Sequence, residues 1–569
     1  MKIEKKTRQF LPENLVITDF KVIEPFFQDL LQRDITSEQN FDKWLIDRSE
    51  LDAVLEEELA WRYIRMSINT QDELLRASYN DFVTKIQPEL APLENRLNKK
   101  LVALPFLDLK KDSAHQIYFR SVRTALDLFK EENISIEAAL NEEAQQYGAI
   151  SAAQTIAHDG KELTMQQASL LLKEQDEVLR KTIFEKIADR RRQDSDKFQT
   201  LFSSLIEKRH QLAKNAGFKN YRDYKFVEMG RFDYTKEDCF AFHEAIKFHI
   251  VPLVKQIQQA KLEQLGKPKF KPWDLEVDPE GKTALKPFTN GQQMLNGTIQ
   301  MFSRIDPYFG ACLQTMDELG HLDLDSKTGK APGGYNYPLY EIGVPFIFMN
   351  AVGAQRDLET MVHEGGHAIH SFLSRELPLT AFKNLPSEVA ELASMSMELL
   401  SMNEWSAFYP KDIDHKRAMR EQLEGTLKVL PWIAQIDAFQ HWIYENPTHT
   451  QEQRTQQWLY LTQEFGTGLT DWTGYEDQVA NSWQKQLHLF EVPFYYIEYG
   501  IAQLGALGVW KNSLEDFPRA IQAYKNSLAL GYTKSLPEIY RTAGVPFDFS
   551  SNRLQELAIL IQTELKKLQ

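Results

Sequence analysis

Apolar residues recur at steps of three and four from about residue 12 to residue 265, and again from Asp357 to the C-terminus. That period marks amphipathic helices, so the chain is constrained to a mainly α fold. Leu51, Val54, Leu55, Leu59 and Ile64 illustrate the stripe such a helix turns inward. Glu, Lys, Gln and Ala, all good helix formers, are abundant between the stripes. At 569 residues the chain exceeds the usual size of one domain, so two or more lobes are expected.

The helical pattern fails twice. From Gly266 to Gln292, Gly266-Lys267-Pro268 and Asp278-Pro279-Glu280-Gly281 supply turn chemistry, and a long structured loop is expected. From Gly320 to Gly353, Lys327-Thr328-Gly329-Lys330 and Pro332-Gly333-Gly334-Tyr335 precede the apolar run Val344-Pro345-Phe346-Ile347-Phe348-Met349. A small β-sheet is expected there. Pro345 cannot donate to a ladder, which predicts that this last strand is an edge.

Composition narrows the function. A formal net charge of -15 argues against nucleic acid or an anionic membrane surface as partner. No stretch reaches the roughly 20 apolar residues that span a bilayer, and Met1-Lys2-Ile3-Glu4-Lys5-Lys6 is not followed by the apolar run of a secretion signal, so a cytoplasmic location is expected. Neither Cys239 nor Cys312 is read as having a second cysteine or a histidine at metal-site spacing, so a disulfide framework or zinc finger has no support and both are expected to be buried, reduced thiols.

Within the helical segment Asp357 to Leu373 lies His363-Glu364-Gly365-Gly366-His367. Two histidines four positions apart share one helix face, close enough for both imidazoles to reach a single tetrahedral zinc ion. Glu364, beside them, is placed for a general base acting on an attacking water. The same motif also fits a surface helix with incidental histidines. Gly365 and Gly366 each cost about 1 kcal/mol in a helix interior, which suggests the close approach of another backbone.

A catalytic zinc site needs a third protein ligand. A histidine six residues beyond His367 would fall at Leu373, and a glutamate 19 or 20 residues beyond it at Pro386 or Ser387, so the metzincin and thermolysin arrangements are excluded. The next helix, expected to be capped by Ser387, is apolar over most of its circumference from Ser387 to Leu400. Glu391 and Glu398 nevertheless share one of its faces. Buried carboxylates are costly unless paired or metal-bound. Glu391 is therefore the candidate third ligand, Glu398 the residue that holds a ligand histidine, and Glu388 in the first turn the rival. His370 follows His367 by one turn and is expected to be a core or supporting histidine.

At these residues the chain resembles the thimet oligopeptidase and oligoendopeptidase F family of zinc metallopeptidases, most nearly its oligoendopeptidase F branch. Val344 to Asn350, Thr360, the zinc motif, His370 and Ala390-Glu391-Leu392-Ala393-Ser394 carry the likeness, with Tyr221-Arg222-Asp223-Tyr224 and Glu228 to Tyr234 upstream. It extends over roughly residues 200 to 560. The resemblance implies a mainly α zincin fold of two helical lobes around a deep channel, with one zinc ion on its floor and access for short unfolded peptides. It further implies that the strand near Val344 to Met349 pairs with substrate backbone. His488, Tyr496 and Tyr499, in the segment His488 to Gly500, take by resemblance the place of a histidine and tyrosines that donate to the oxyanion. A further tyrosine of the thimet branch is replaced near Val492 or Pro493, which leaves open which tyrosine serves.

The expectation is a zinc-dependent endopeptidase acting on short peptides, with an N-terminal helical region over 1–200 and a catalytic region over 201–569 whose lobes are free to interleave. A dipeptidyl carboxypeptidase of similar ligand spacing, or an inactive peptide-binding homologue, is the alternative.

Overall fold

A computed structural model describes residues 1–568. The fold is mainly α, with two small sheets. Eight helices position the residues of interest: α1 (Glu38–Ile68), α2 (Glu177–Asn215), α3 (Lys236–Ala245), α4 (Gly291–Ile305), α5 (Gln355–Ser374), α6 (Ser387–Ser401), α7 (Asp412–Glu445) and α8 (Tyr496–Glu515). The strands are β1 (Thr155–His158), β2 (Lys161–Thr164), β3 (Leu322–Asp325), β4 (Tyr335–Tyr337) and β5 (Phe346–Ala351). Among the described residues, no helix is long and apolar enough to cross a membrane.

Two compact units form, each from three stretches of chain. One gathers residues 1–127, 284–419 and 502–547, and the other 128–283, 420–501 and 548–569. The predicted stripe on α1 lies in the first unit, where Leu51, Val54, Leu55 and Ile64 are buried and Leu59 partly so. Trp44 on the same helix is fully buried and donates its indole N–H to the Leu30 carbonyl at 2.9 Å, so its one polar group is satisfied.

The first unit also holds a three-stranded sheet of order β3-β5-β4. β5 runs parallel to β3 and antiparallel to β4, with Phe348 opposite both Asp323 and Tyr335. The apolar run expected as an edge strand is therefore the central strand. Pro345 does not interrupt it because the strand starts one residue later, at Phe346. Both sides of β5 are occupied along the paired residues, whereas β4 is an outer strand.

α5 begins where the Asp357 carboxylate accepts the N–H groups of Val352 and Ala354, at 2.8 and 2.9 Å. This interaction fixes the turn out of β5. α6 differs from expectation at its start: Pro386 occupies the cap position, and Ser387 is the first helical residue and makes no capping bond. The helix is held instead from a distance. Tyr524 and Tyr540 donate their phenol O–H groups to its Ala393 and Glu388 carbonyls, at 2.8 and 2.9 Å.

The paired glycines of α5 are explained by packing. A Cβ on Gly366 would stand 2.7 Å from both the Ala393 carbonyl oxygen and the Ser394 Cα, so the backbone of α6 passes directly over it. At Gly365 the neighbour is a side chain, the Phe302 ring of α4 at 2.7 Å. We expect Gly366→Ala to cost about 1–3 kcal/mol by overpacking, read as a lowered urea midpoint with an unchanged m-value.

Candidate active site

α5 and α6 bring four predicted residues together in the first unit. His363, His367 and Glu391 each offer a donor atom, and the three atoms lie within 4.8 Å of one another. His363 Nε2 is 3.3 Å from Glu391 Oε2, and His367 Nε2 is 3.8 Å from the same oxygen. The two imidazoles stand nearly perpendicular, at 87°. Glu398 lies behind them, its Oε1 2.7 Å from His363 Nδ1. That contact fixes the ring so that Nε2 faces Glu391. Glu388, the rival, is buried one turn earlier and outside this group.

Sequence reasoning missed two supporting residues. Ser394 donates to Glu391 Oε2 at 2.9 Å and so sets that carboxylate's rotamer. Its position three residues on, over the same helix face, was the available signal. Asn336 of β4 donates to the Glu364 carbonyl at 3.4 Å, placing the outer strand beside α5. That contact joins distant residues and leaves no local mark.

The electrostatics of this group call for added positive charge. Burial opposes protonation of His363, but its bonds to Glu391 and Glu398 prevail and hold its pKa well above the usual value. Burial likewise works against the Glu391 carboxylate, yet the His363 bond and the neighbouring His367 pull it down to about 2. Burial, joined by repulsion from His363, lowers His367 to about 4 against the opposing pull of Glu391. Glu364, 7% exposed, is pushed up to about 7 by burial, which brings its proton affinity near neutrality. His370 is buried at 1% exposure beside this group, in the core, and burial lowers it to about 3.

His488, Tyr496 and Tyr499 come together in the second unit. The His488 ring centroid lies 4.8 Å from that of Tyr496 and 6.0 Å from that of Tyr499. Tyr496 and Tyr499 are 5.6 Å apart, one turn from each other at the start of α8. All three rings are half-buried. Burial lowers His488 to about 4 and raises Tyr496.

The turn that presents this trio is built under constraint. Phe494 has φ 68°, a left-handed conformation costly for a bulky residue. Its N–H donates to the buried Gln440 side chain at 2.6 Å, and its carbonyl accepts from Arg231. Arg231 also pairs with Glu498 at 2.8 Å, both nearly fully buried. Arg231 belongs to the Glu228–Tyr234 segment whose family likeness had no stated role. Here it holds the turn before α8.

Known proteins resemble this chain over most of its length. Residues 170–559, more than half of the chain, match peptidase family M3, and residues 10–129 match the peptidase M3 N-terminal domain. Oligopeptidase PepF of Bacillus subtilis (strain 168) is 25% identical over 39% of this chain and 33% of its own length. The oligoendopeptidase F homolog of Lactococcus lactis subsp. lactis (strain IL1403) is 21% identical over 63% of this chain and 66% of its own. The chain thus spans less than two thirds of the length of these curated relatives. PZ peptidase A, solved with an inhibitor, superposes with a TM-score of 0.89 at 26% identity, over 98% of this chain and 99% of that one. On the extent of the family match and this agreement in fold, the chain belongs to peptidase family M3.

Proposed function

We propose that the protein is a zinc-dependent endopeptidase of short, unfolded oligopeptides, with His363, His367 and Glu391 holding one zinc ion and Glu364 as general base. The observation that carries this reading is the convergence of His363 Nε2 and His367 Nε2 on one oxygen of Glu391, with Glu398 fixing the back of His363. The donor set fits zinc: two imidazole nitrogens and a carboxylate oxygen, with the remaining position open to water. Bound there, zinc supplies Lewis acidity toward water and the scissile carbonyl.

The chain's own residues do the rest. Glu364 accepts a proton on its carboxylate from the attacking water and returns it to the leaving amine. The role of donating to the developing oxyanion is carried over to His488, Tyr496 and Tyr499 from the family resemblance, with the tyrosine phenols as donors. β4 replaces β5 as the strand that pairs with substrate backbone, because it is an outer strand and lies beside α5 through Asn336. Every one of these residues lies within 201–569, which we retain as the region that carries the chemistry, preceded by a helical N-terminal region.

Cleavage of blocked peptides tests the endopeptidase reading. Peptides of about ten residues capped at both ends should be cut internally, with products identified by mass spectrometry. Cleavage confined to peptides with a free C-terminus, releasing dipeptides, would assign a dipeptidyl carboxypeptidase instead.

A further inference from the structure

A second set of metal-binding side chains occurs in the other unit, on helices α3 and α7. Cys239 and His243 are four residues apart on α3, and Asp437 and His441 are four apart on α7. Each pair therefore occupies one helix face, and the two faces meet. The ring of His243 lies 5.8 Å from that of His441, and His243 Nε2 is 2.8 Å from Asp437 Oδ2. Donor atoms of Cys239, Asp437 and His441 all lie within 4.8 Å of one another.

This cluster is fully interior. Exposure is 1% for Cys239, 5% for His243, 0% for Asp437 and 2% for His441. Aromatic rings wall it in, with Phe226, Phe240 and Phe494 centred 5.8, 4.8 and 5.4 Å from the His441 ring. A carboxylate in such surroundings is costly unless its charge is met. Burial acts to raise Asp437, but His441 and His243 outweigh it and hold this carboxyl well below the usual range.

The hydrogen bonding is incomplete where a ligand would sit. Asp437 Oδ1 has no hydrogen-bond partner, and neither does either ring nitrogen of His441, although Nε2 lies 3.2 Å from Asp437 Oδ2. Buried polar atoms are rarely left in this state, and three in one cluster call for an explanation. A buried His-Asp-His contact beside an inert thiol would engage His441 Nε2 through Asp437 Oδ2 but leave Asp437 Oδ1 and His441 Nδ1 unsatisfied. A cation would engage Oδ1 and one imidazole nitrogen together. Thiolate and carboxylate would also balance a divalent charge, so that the filled site is neutral.

We propose that Cys239, Asp437 and His441 bind a second, structural divalent cation of thiophilic character, zinc foremost, with His243 orienting Asp437 through Oδ2. Sulfur, nitrogen and oxygen donors together favour zinc over the hard cations calcium and magnesium. Zinc–ligand bonds of about 2.0–2.3 Å place tetrahedral donors about 3.3–3.8 Å apart, so donors that lie within 4.8 Å of one another close by at most about 1.5 Å on binding. The arrangement of His243 behind Asp437 parallels that of Glu398 behind His363. Complete burial suits a site that joins α3 to α7 within the second unit rather than one that exchanges substrate. The helical spacing of Cys239 and His243 is legible in the sequence, but it differs from finger spacing, and its partners lie 194 residues away.

The test uses the full chain with its first site disabled. A His363→Ala/His367→Ala protein, which leaves α3 and α7 untouched, is expressed with zinc or with cobalt and freed of loose metal by gel filtration. Metal content is then measured by plasma mass spectrometry. We expect one tightly held equivalent per chain. The cobalt form should show a thiolate-to-cobalt charge-transfer band that survives Cys312→Ser and is lost with Cys239→Ser. Metal-free but folded double variant, or bound cobalt without the thiolate band, overturns the proposal. If Cys239→Ser does not fold, the cobalt spectrum of the Cys312→Ser protein decides, because Cys239 is then the only thiol.

Discussion

Glu364→Gln is expected to lower peptide turnover by about 10²–10⁴-fold while leaving zinc content and stability intact. The amide keeps the shape of the carboxyl but cannot accept the proton from water. Folding should not suffer. Glu364 is 7% exposed and its carboxyl is pushed up by burial, so a neutral side chain removes a desolvation cost. Turnover is followed on an internally quenched peptide, with circular dichroism and metal content on the same sample. Undiminished turnover in a metal-replete variant would remove Glu364 from the role of base.

Glu391→Ala has a different signature, because both metal and activity should be lost. Loss of a residue that merely orients a ligand lowers metal affinity about 10–100-fold. Loss of Glu391 should exceed that, since His363 Nε2 and His367 Nε2 both face its Oε2 and only imidazoles would remain. The helix should survive. Ser394 retains the Glu391 backbone carbonyl as acceptor at 3.1 Å, and His363 retains Glu398. Zinc content should fall by one equivalent per chain against wild type. An unchanged content would move the third ligand to Glu388, buried one turn earlier.

Local regularities carried much of this site into the sequence. The spacing of His363 and His367 is a helical turn, and the conflict between an apolar helix and two acidic residues on one face singled out Glu391 and Glu398. Gly366 similarly announced the passage of α6, because a residue without Cβ is costly in a helix unless something needs the space. What depended on long-range pairing was not legible. Pro345 signalled an edge strand only while it was counted inside β5, and the sheet's order depends on which distant segments flank it. Ser387 looked like a cap, but Pro386 takes that position and tyrosines from far along the chain satisfy α6.

One omission was local. β1 and β2 form a hairpin inside the stretch read as mostly helical, with Thr155 opposite Thr164 and His158 opposite Lys161. Its turn is Asp159-Gly160, with φ of 48° and 71°, the Asp-Gly pair that two-residue hairpins favour. The helical period on either side outweighed that dipeptide. The cluster of Cys239, His243, Asp437 and His441 escaped for a different reason, since two helical pairs become a site only after folding brings α3 against α7.

Dependence of peptide hydrolysis on zinc is the most direct measure of the active-site account. Wild-type protein is stripped of exchangeable metal with a chelator, and cleavage of a doubly blocked peptide is followed by mass spectrometry as zinc is added back. The account predicts negligible cleavage in the stripped protein, with activity rising in proportion to zinc until one equivalent per chain is restored. Full cleavage by the stripped protein would contradict it.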